Sequence, residues 1–442
     1  MLDFDSLSKK IKERNFVIGV LGLGYVGLPL SLAFAEKGFT VVGFDIDDLK
    51  IRMLNEGRSY FKHIPSERIK SVALKTFKPT FEFRDLDLCD VMIICVPTPL
   101  TQSRDPDLQF VITTAKDIAE HMDANQLVVL ESTSYPGTTR EVVKEILESE
   151  TRLVAGKDFY LGFSSEREDP GNKDFDTVKI PKVISGYSED CLQYMKMVYS
   201  EVFNVVEASS LESAELSKVF ENVYRSVNIA LVNELKVLCH KMDIDVWEVI
   251  RLASTKPFGF QPFFPGPGLG GHCIPIDPFY LAWKAKQYGL STKFIELAGE
   301  INSSMPHYVV NKIKDVLNDE AKPLNGSSIL VVGVAYKADI DDIRESPAIL
   351  ILKLLEICGA EIYYHDPYIP KILPTRKWDL NLQSVPLLDS FFSETEFDCA
   401  VIVTDHKDVN YDFIMRNVPV IVDTRNAIKT VPADCRCEVH TA

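Results

Sequence analysis

At 442 residues the chain is too long for one ordinary domain, and its length points to about three. A formal charge of −16, with no run that concentrates Lys or Arg, argues against a nucleic-acid partner and means that an anionic ligand needs a local cationic pocket. Nine scattered cysteines without a CxxC pair make neither a disulfide framework nor a zinc signature, and no metal is expected. The N-terminal Met1-Leu-Asp-Phe-Asp-Ser-Leu-Ser-Lys-Lys10 is charged where a signal peptide is apolar, and no apolar run is long enough for a bilayer. A cytoplasmic protein with reduced thiols and no membrane partner is expected.

The first elements form a βαβ unit: an apolar strand from Phe16 to Leu21, then Gly22-Leu-Gly24-Tyr-Val-Gly27, a helical segment to about Lys37, and a second strand, Thr40 to Phe44, ending in Asp45. GxGxxG alone is weak, but between a strand and a helix, with an acid roughly twenty residues on, it is the dinucleotide fingerprint. The glycines admit a pyrophosphate to the helix N-terminus, and Asp45 can bind a ribose diol while repelling a 2′-phosphate, which favours NAD over NADP. Apolar strands at Val91 to Val96 and Leu127 to Leu130 run into Pro or Ser/Thr-rich turns, as in a doubly wound sheet. After a strand from Tyr160 to Phe163, Glu166 stands in a charged turn; a carboxylate there can act as acid or base, although such a cluster is more often a solvated loop. This domain is expected to span residues 1–206.

From Ser209 to Met242, apolar residues at Leu211, Ala214, Val219, Val223, Val227, Ala230, Leu231, Leu235 and Leu238 recur mostly three or four apart, without Pro or Gly. One long amphipathic helix is predicted, a connector able to build a dimer interface. Lys218 and Asn222 lie one turn apart with Arg225 adjoining, a stripe that can aim donors at a reacting oxygen, though lysine at this spacing is ordinarily solvated. Farther on, Phe263-Phe-Pro-Gly-Pro-Gly-Leu-Gly-Gly-His-Cys-Ile-Pro-Ile-Asp-Pro-Phe-Tyr280 puts the Cys273 thiol at the end of a glycine-rich loop. Asp277 reads as an N-cap and Pro278 as the first helical residue, so a helix N-terminus favours the thiolate; the competing reading is a surface loop with an incidental cysteine. His272 is expected to shape the loop.

After Pro323-Leu-Asn-Gly326 the alternation repeats: a strand from Ser328 to Val332, a helix near Pro347 to Cys358, a strand from Glu361 to Tyr364, then Asp366. The turn Gly333-Val-Ala-Tyr-Lys337 lacks the GxGxxG glycines, which predicts a ligand other than a second dinucleotide. The fold class expected is α/β, two doubly wound Rossmann-like domains joined by a central long helix or helical domain, divided at 1–206, 207–320 and 321–442.

Together, the Gly22 to Gly27 turn with Asp45, Glu131-Ser-Thr133, the Glu166 turn, Glu215-Leu-Ser-Lys218 with Asn222, the Cys273 loop with Asp277, and Tyr336-Lys337 through Arg344-Glu-Ser-Pro347 resemble the UDP-glucose/GDP-mannose dehydrogenase family. The likeness covers nearly the whole chain in order. Within the family the Pro265 to Tyr280 segment is most similar to UDP-N-acetylglucosamine 6-dehydrogenases, which feed bacterial and archaeal surface polysaccharides.

The resemblance implies four-electron, NAD-dependent oxidation of the C6 hydroxyl of a UDP-sugar, UDP-N-acetylglucosamine first, to the uronate. It gives Cys273 a thiohemiacetal and then a thioester, Lys218 and Asn222 the oxyanions, and Asp277 with Glu166 the water, without deciding which is the base; Thr133 joins this catalytic set. NAD would meet Gly22, Gly24, Tyr25, Val26, Gly27, Asp45, Lys50, Thr98, Thr133 and Arg344. The nucleotide sugar would meet Glu166, Arg167, Lys218, Asn222, Phe264, Gly268, Gly270, Tyr336, Lys337 and Arg425, with Lys337 and Arg425 supplying local positive charge. A homodimer through the long helix is the minimum assembly implied.

Where the glucose enzymes carry a Lys in the loop and an Arg upstream, this chain has Phe264 and Pro257, and Ile276 replaces the Lys before Asp277. These departures suit a bulkier 2-acetamido sugar; UDP-glucose, UDP-N-acetylgalactosamine and UDP-N-acetylmannosamine remain alternatives. Ser165 stands where the family commonly has Pro. Two other readings stay open: a two-electron hydroxy-acid dehydrogenase, which leaves Cys273 and the third domain without a task, and an inactive nucleotide-sugar-binding regulator.

Overall fold

The structure, a computed structural model, describes residues 3–73, 75–101, 103–167, 178–271, 274–374 and 378–442; His272 and Cys273 lie outside the described residues. The chain forms two compact units, Met1–Glu221 with Phe279–Ser291, and Asn222–Pro278 with Thr292–Ala442.

The first unit is built on β1 (Val17–Leu21), β2 (Thr40–Phe44), β3 (Phe77–Thr80), β4 (Val91–Ile94), β5 (Leu127–Leu130), β6 (Tyr160–Ser164), β7 (Lys182–Gly186) and β8 (Val205–Glu207). They make one eight-stranded sheet in the order β3-β2-β1-β4-β5-β6-β7-β8. All neighbours are parallel except β6 and β7. Central strands such as Val-Met-Ile-Ile in β4 and Leu-Val-Val-Leu in β5 are buried throughout, which is why they read as continuous apolar runs rather than alternating ones. The order reverses between β1 and β4, and ligands of such sheets bind beyond the strand ends at that point. Phe34, on the helix Gly27–Glu36, packs edge-on against Phe39, Tyr199 and Phe203 and holds that helix to the core.

The antiparallel partner of β6 has a local consequence. The backbone N–H of Ser165 donates to the Val183 carbonyl at 3.0 Å, prolonging the β6–β7 pairing by one residue. A proline at this position has no N–H to give, so Ser165 ties the segment that carries Glu166 to β7.

The second unit contains β9 (Ser328–Val332), β10 (Glu361–His365), β11 (Lys371–Ile372), β12 (Leu382–Gln383), β13 (Cys399–Ile402), β14 (Val420–Asp423) and β15 (Glu438–Thr441). Five of these form a parallel sheet ordered β10-β9-β13-β14-β15, and β11 pairs with β12. The helix Pro347–Ile357 is capped by Ser346 and opens with Pro347, whose missing N–H costs nothing at that position. Both units therefore have the doubly wound organisation that the alternation of elements predicts.

The long helix runs from Leu211 to Lys241. Its buried face differs from expectation: Leu231 and Leu238 are exposed, while Glu215, Lys218, Asn222, Ser226, Asn233 and Lys236 are buried among Ala214, Val219, Val223 and Ala230. Glu215, Asn222, Asn233 and Lys236 of this polar stripe find partners there, as described below. No helix among the described residues is long and apolar enough to cross a membrane.

Candidate active site

In the first unit the fingerprint glycines have distinct steric tasks. Gly22 has φ +95°, and a Cβ on it would lie 2.6 Å from the Cys95 carbonyl oxygen; one on Gly27 would lie 1.8 Å from the Gly22 oxygen. A Cβ on Gly24 would meet nothing within 4 Å, so this is the glycine past which a ligand backbone can approach. Val26 opens the helix without a side-chain cap, which leaves donors at its N-terminus available to a pyrophosphate. Asp45 accepts from the Leu23 and Asp47 amides, each at 3.0 Å, and pairs with Lys50 at 3.2 Å. Its carboxylate is thereby oriented at the end of β2, where a ribose diol is read. Tyr25 packs on Phe61 with ring centroids 4.1 Å apart, and Thr98 is buried while Thr133 is half-buried beyond the ends of β4 and β5. These residues fit a dinucleotide.

Two further expected residues of this unit are buried rather than solvated. Glu166 and Lys218 are each 7% exposed, which removes the loop and surface readings for both. Arg167 pairs with Glu221 and donates to the Pro181 carbonyl at 3.0 Å. Sequence reasoning missed the role of Glu215, which accepts from the backbone N–H of Gly137 and from the N–H and hydroxyl of Thr139 at 2.8 and 2.6 Å. It pins the turn below Lys218 to the loop after β5. Burial, partly offset by these donors, pushes the Glu215 carboxyl up to about 7.

In the second unit, the Asn222 side chain donates to the Asp277 carboxylate, and both are buried. The helix Asp277–Gln287 begins at Asp277 itself, so Pro278 is its second residue and the N-cap expected at Asp277 lies one residue earlier. Arg225 is exposed and does not belong to the buried stripe, because its position on the helix turns it away from Asn222.

The glycine loop is held from both sides. Gly266 donates its N–H to Asn233 at 2.9 Å and its carbonyl accepts from Lys236 at 3.0 Å; Asn233 is braced by Asn302 at 3.0 Å. On the other side, a Cβ on Gly266 would lie 2.5 Å from the Arg425 guanidinium, and one on Gly270 would lie 2.5 Å from the Tyr336 Cβ. Gly268 takes φ +135° against Pro347 and Pro306, and the Gly271 N–H donates to the Arg344 carbonyl at 3.1 Å. These contacts gather Gly266, Gly268, Gly270, Tyr336 and Arg425 in one place. Phe264 stacks on Trp247 at 5.9 Å and stays half exposed. Arg425 donates to the Val403 carbonyl at 2.8 Å, while the Arg344 guanidinium pairs with Asp342 at 2.8 Å. Burial, then the neighbouring Arg425 charge, pushes the Lys236 amine down to about 7. Neither Asn233 nor Lys236 was expected from the sequence, since only their shared face with Asn222 marks them.

The turn after β9 parallels the one after β1. Asp366 accepts from the Val334 and Ala335 amides at 2.7 and 3.2 Å, as Asp45 accepts from Leu23, but it also bonds His406 at 3.0 Å. Burial works against the Asp366 charge, yet His406 and the amides hold its carboxyl below the usual range. The acid that would read a ribose is thus engaged by a protein side chain.

Comparison with known proteins agrees along the chain. Residues 16–203 match the NAD binding domain of the UDP-glucose/GDP-mannose dehydrogenase family, residues 212–304 its central domain and residues 330–430 its UDP binding domain. The UDP-N-acetyl-D-glucosamine 6-dehydrogenase of Pseudomonas aeruginosa is 35% identical over 358 residues, 80% of this chain and 84% of that one. The UDP-N-acetyl-D-mannosamine dehydrogenase of Pyrococcus horikoshii is 36% identical over 424 residues, 94% of this chain and 96% of that one. A solved structure of a UDP-D-ManNAc dehydrogenase from Pyrococcus horikoshii matches with a TM-score of 0.85 and 34% identity, covering 96% of this chain and 99% of that chain.

Proposed function

The chain belongs to the UDP-glucose/GDP-mannose dehydrogenase family of NAD-dependent UDP-sugar dehydrogenases, and from that premise we propose that it oxidises C6 of a UDP-2-acetamido-2-deoxyhexose to the carboxylate, with UDP-N-acetylglucosamine as the first substrate. The Gly22 to Gly27 turn and Asp45 would hold NAD⁺, which would supply the hydride acceptor for each of two oxidations. Gly24, Tyr25, Val26, Lys50, Thr98, Thr133 and Arg344 complete its proposed set.

The Cys273 sulfur adds to the C6 aldehyde carbon and makes it tetrahedral, which a second oxidation requires. The resulting thioester is attacked by water, the carbon–sulfur bond breaks, the thiolate leaves and the carboxylate is released. Lys218 and Asn222 stabilise the oxyanions. Asp277 and Glu166 orient the water and take its proton. The observation that carries this reading is the buried Asn222–Asp277 hydrogen bond, which locks an amide donor of the long helix to the carboxylate four positions beyond Cys273. A two-electron hydroxy-acid dehydrogenase leaves this arrangement idle.

Arg425, Lys337, Tyr336, Gly268, Gly270 and Phe264 hold the nucleotide sugar, aided by Arg167. The 2-acetamido choice is supported by relatives named for N-acetylglucosamine and N-acetylmannosamine, and by Phe264 and Ile276 where the glucose enzymes carry Lys. The exposed Leu216, Phe220, Tyr224, Leu231 and Leu238 of the long helix support a homodimer through that helix. The protein works in the cytoplasm on precursors of surface polysaccharide, its domains dividing at 1–206, 207–320 and 321–442.

The test is the NADH formed per UDP-N-acetylglucosamine consumed to completion with excess NAD⁺. Two NADH per sugar are expected. One would mean that oxidation stops at the aldehyde and that Cys273 lacks its role. None, with two per sugar from UDP-N-acetylmannosamine, UDP-N-acetylgalactosamine or UDP-glucose, would move the substrate within the family; none from any UDP-sugar that nevertheless binds would favour the inactive regulator.

A further inference from the structure

The first unit buries a charged cluster behind Glu166 that the reaction as described does not use. Lys182, the first residue of β7, is 4% exposed, and its ammonium pairs with Glu131 and lies 3.9 Å from a Glu166 carboxylate oxygen. Glu131 is wholly buried beyond the end of β5, and its second oxygen accepts from the Tyr199 hydroxyl at 2.9 Å. Tyr199 is itself locked into the aromatic group of Phe34 and Phe203, and the Phe203 ring lies 5.1 Å from the Lys182 ammonium. One ammonium is therefore shared by two carboxylates: one is anchored in the core, and the other is the proposed water-handling group.

We infer that Lys182 is a positioning residue for Glu166, with Glu131 and Tyr199 as the anchor that fixes its ammonium. This rests on the reading of Glu166 given above. The backbone supports it independently, because the Ser165 N–H bond to Val183 ties the residue before Glu166 to the strand that starts with Lys182. A buried ion pair is a costly way to gain stability alone, since apolar groups of equal volume serve as well. Here the charge sits beyond the ends of β5 and β6, where ligands of such sheets bind.

Among the described residues, Lys182 from β7, Glu131 from the loop after β5 and Cys95 from the loop after β4 face the Glu166 carboxylate, Tyr199 from the helix Glu189–Tyr199 bonds Glu131, and Arg167 beside Glu166 is directed to Glu221. Burial opposes the Lys182 charge, but the two carboxylates hold its ammonium above the ordinary value. Burial and the Glu131 charge push the Cys95 thiol well above its ordinary range, so it stays neutral. Among the described residues Lys182 is the cation that Glu131 and Glu166 share, and the two carboxylates compete for it.

That competition gives a test with opposite signs. Lys182→Met removes the ammonium that lies 3.9 Å from the Glu166 carboxylate, so kcat should fall by roughly 10- to 100-fold with KM for NAD⁺ unchanged, and the acid limb of the kcat–pH profile should move up. Glu131→Gln leaves Lys182 to Glu166 alone, and the same limb should move down. Lys182→Arg should restore most of the kcat lost in Lys182→Met. Shifts of the same sign in Lys182→Met and Glu131→Gln, or an unmoved limb with only a lower melting temperature, would overturn the inference. Should Lys182→Met not fold, the sign in Glu131→Gln decides. Glu166→Gln separates the two readings: undiminished kcat there sinks the role of Glu166 itself, whereas loss of kcat there with unshifted profiles in the other variants sinks only the positioning by Lys182.

Discussion

The Asn222 amide donates to the carboxylate of Asp277, joining the middle of the long helix to the residue that opens the helix after the glycine loop, 55 positions away. Both groups are buried, so the bond between them offsets part of the cost of taking an amide and a carboxylate out of water. Asp277→Asn keeps the volume and removes the charge. It is expected to lower kcat by about 100-fold or more while the melting temperature stays close to that of the unaltered protein, as steady-state kinetics and a thermal melt will show.

The fingerprint glycines should separate by variant. Gly24→Ala has open space for its methyl group and should fold normally, yet lose about tenfold or more in NAD⁺ affinity because the methyl group stands where the ligand backbone approaches. Gly27→Ala drives a Cβ into the Gly22 carbonyl and should destabilise the first unit outright. NAD⁺ titration and chemical denaturation of the two variants check the contrast.

Lys236 should impose a pH dependence on stability. The unfolded chain protonates this amine below about 10.5 and the folded chain only below about 7, so between these values the unfolded state binds more protons and stability rises with pH. Arg425 and the Tyr308 ring are the groups that face the amine, and no carboxylate pairs with it among the described residues. Lys236→Met should abolish the slope, which amounts to a few kcal/mol on an order-of-magnitude basis, in denaturation midpoints measured from pH 7 to 10.

Cys273→Ser should spare the first oxidation and block the second. Acid product is expected to fall by about 100-fold or more, with no more than one NADH formed per sugar consumed, measured by chromatography of the uronate alongside absorbance.

Much of the architecture was legible in the sequence. The strand from Thr40 to Phe44, the strand from Leu127 to Leu130 and the strand from Ser328 to Val332 have the bounds read from their apolar runs, and the long helix ends within two residues of expectation. The polar stripe was legible only as a spacing. Lys218, Asn222 and Arg225 looked alike on a helical wheel, yet the first two are buried and the third is exposed. Glu131 is legible in the sequence as part of a motif, but its pairing with Lys182 is not, because a lysine that begins an apolar strand gives no sign of the carboxylate awaiting it beyond the end of another strand.

What the sequence by itself determined is local: the strand-turn-helix order around Gly22, Gly24 and Gly27, the acid at Asp45, the repeated alternation after Gly326, and the order of motifs that places the chain in its family. Those features follow from sterics and side-chain periodicity over a few residues. Tertiary structure alone decided which charges lie in water and which are shared. The ammonium of Lys182 between Glu131 and Glu166, and the Gly266 amide between Asn233 and Lys236, exist because strand register and helix docking bring distant residues within ion-pair or hydrogen-bond reach and exclude the solvent that would otherwise screen them.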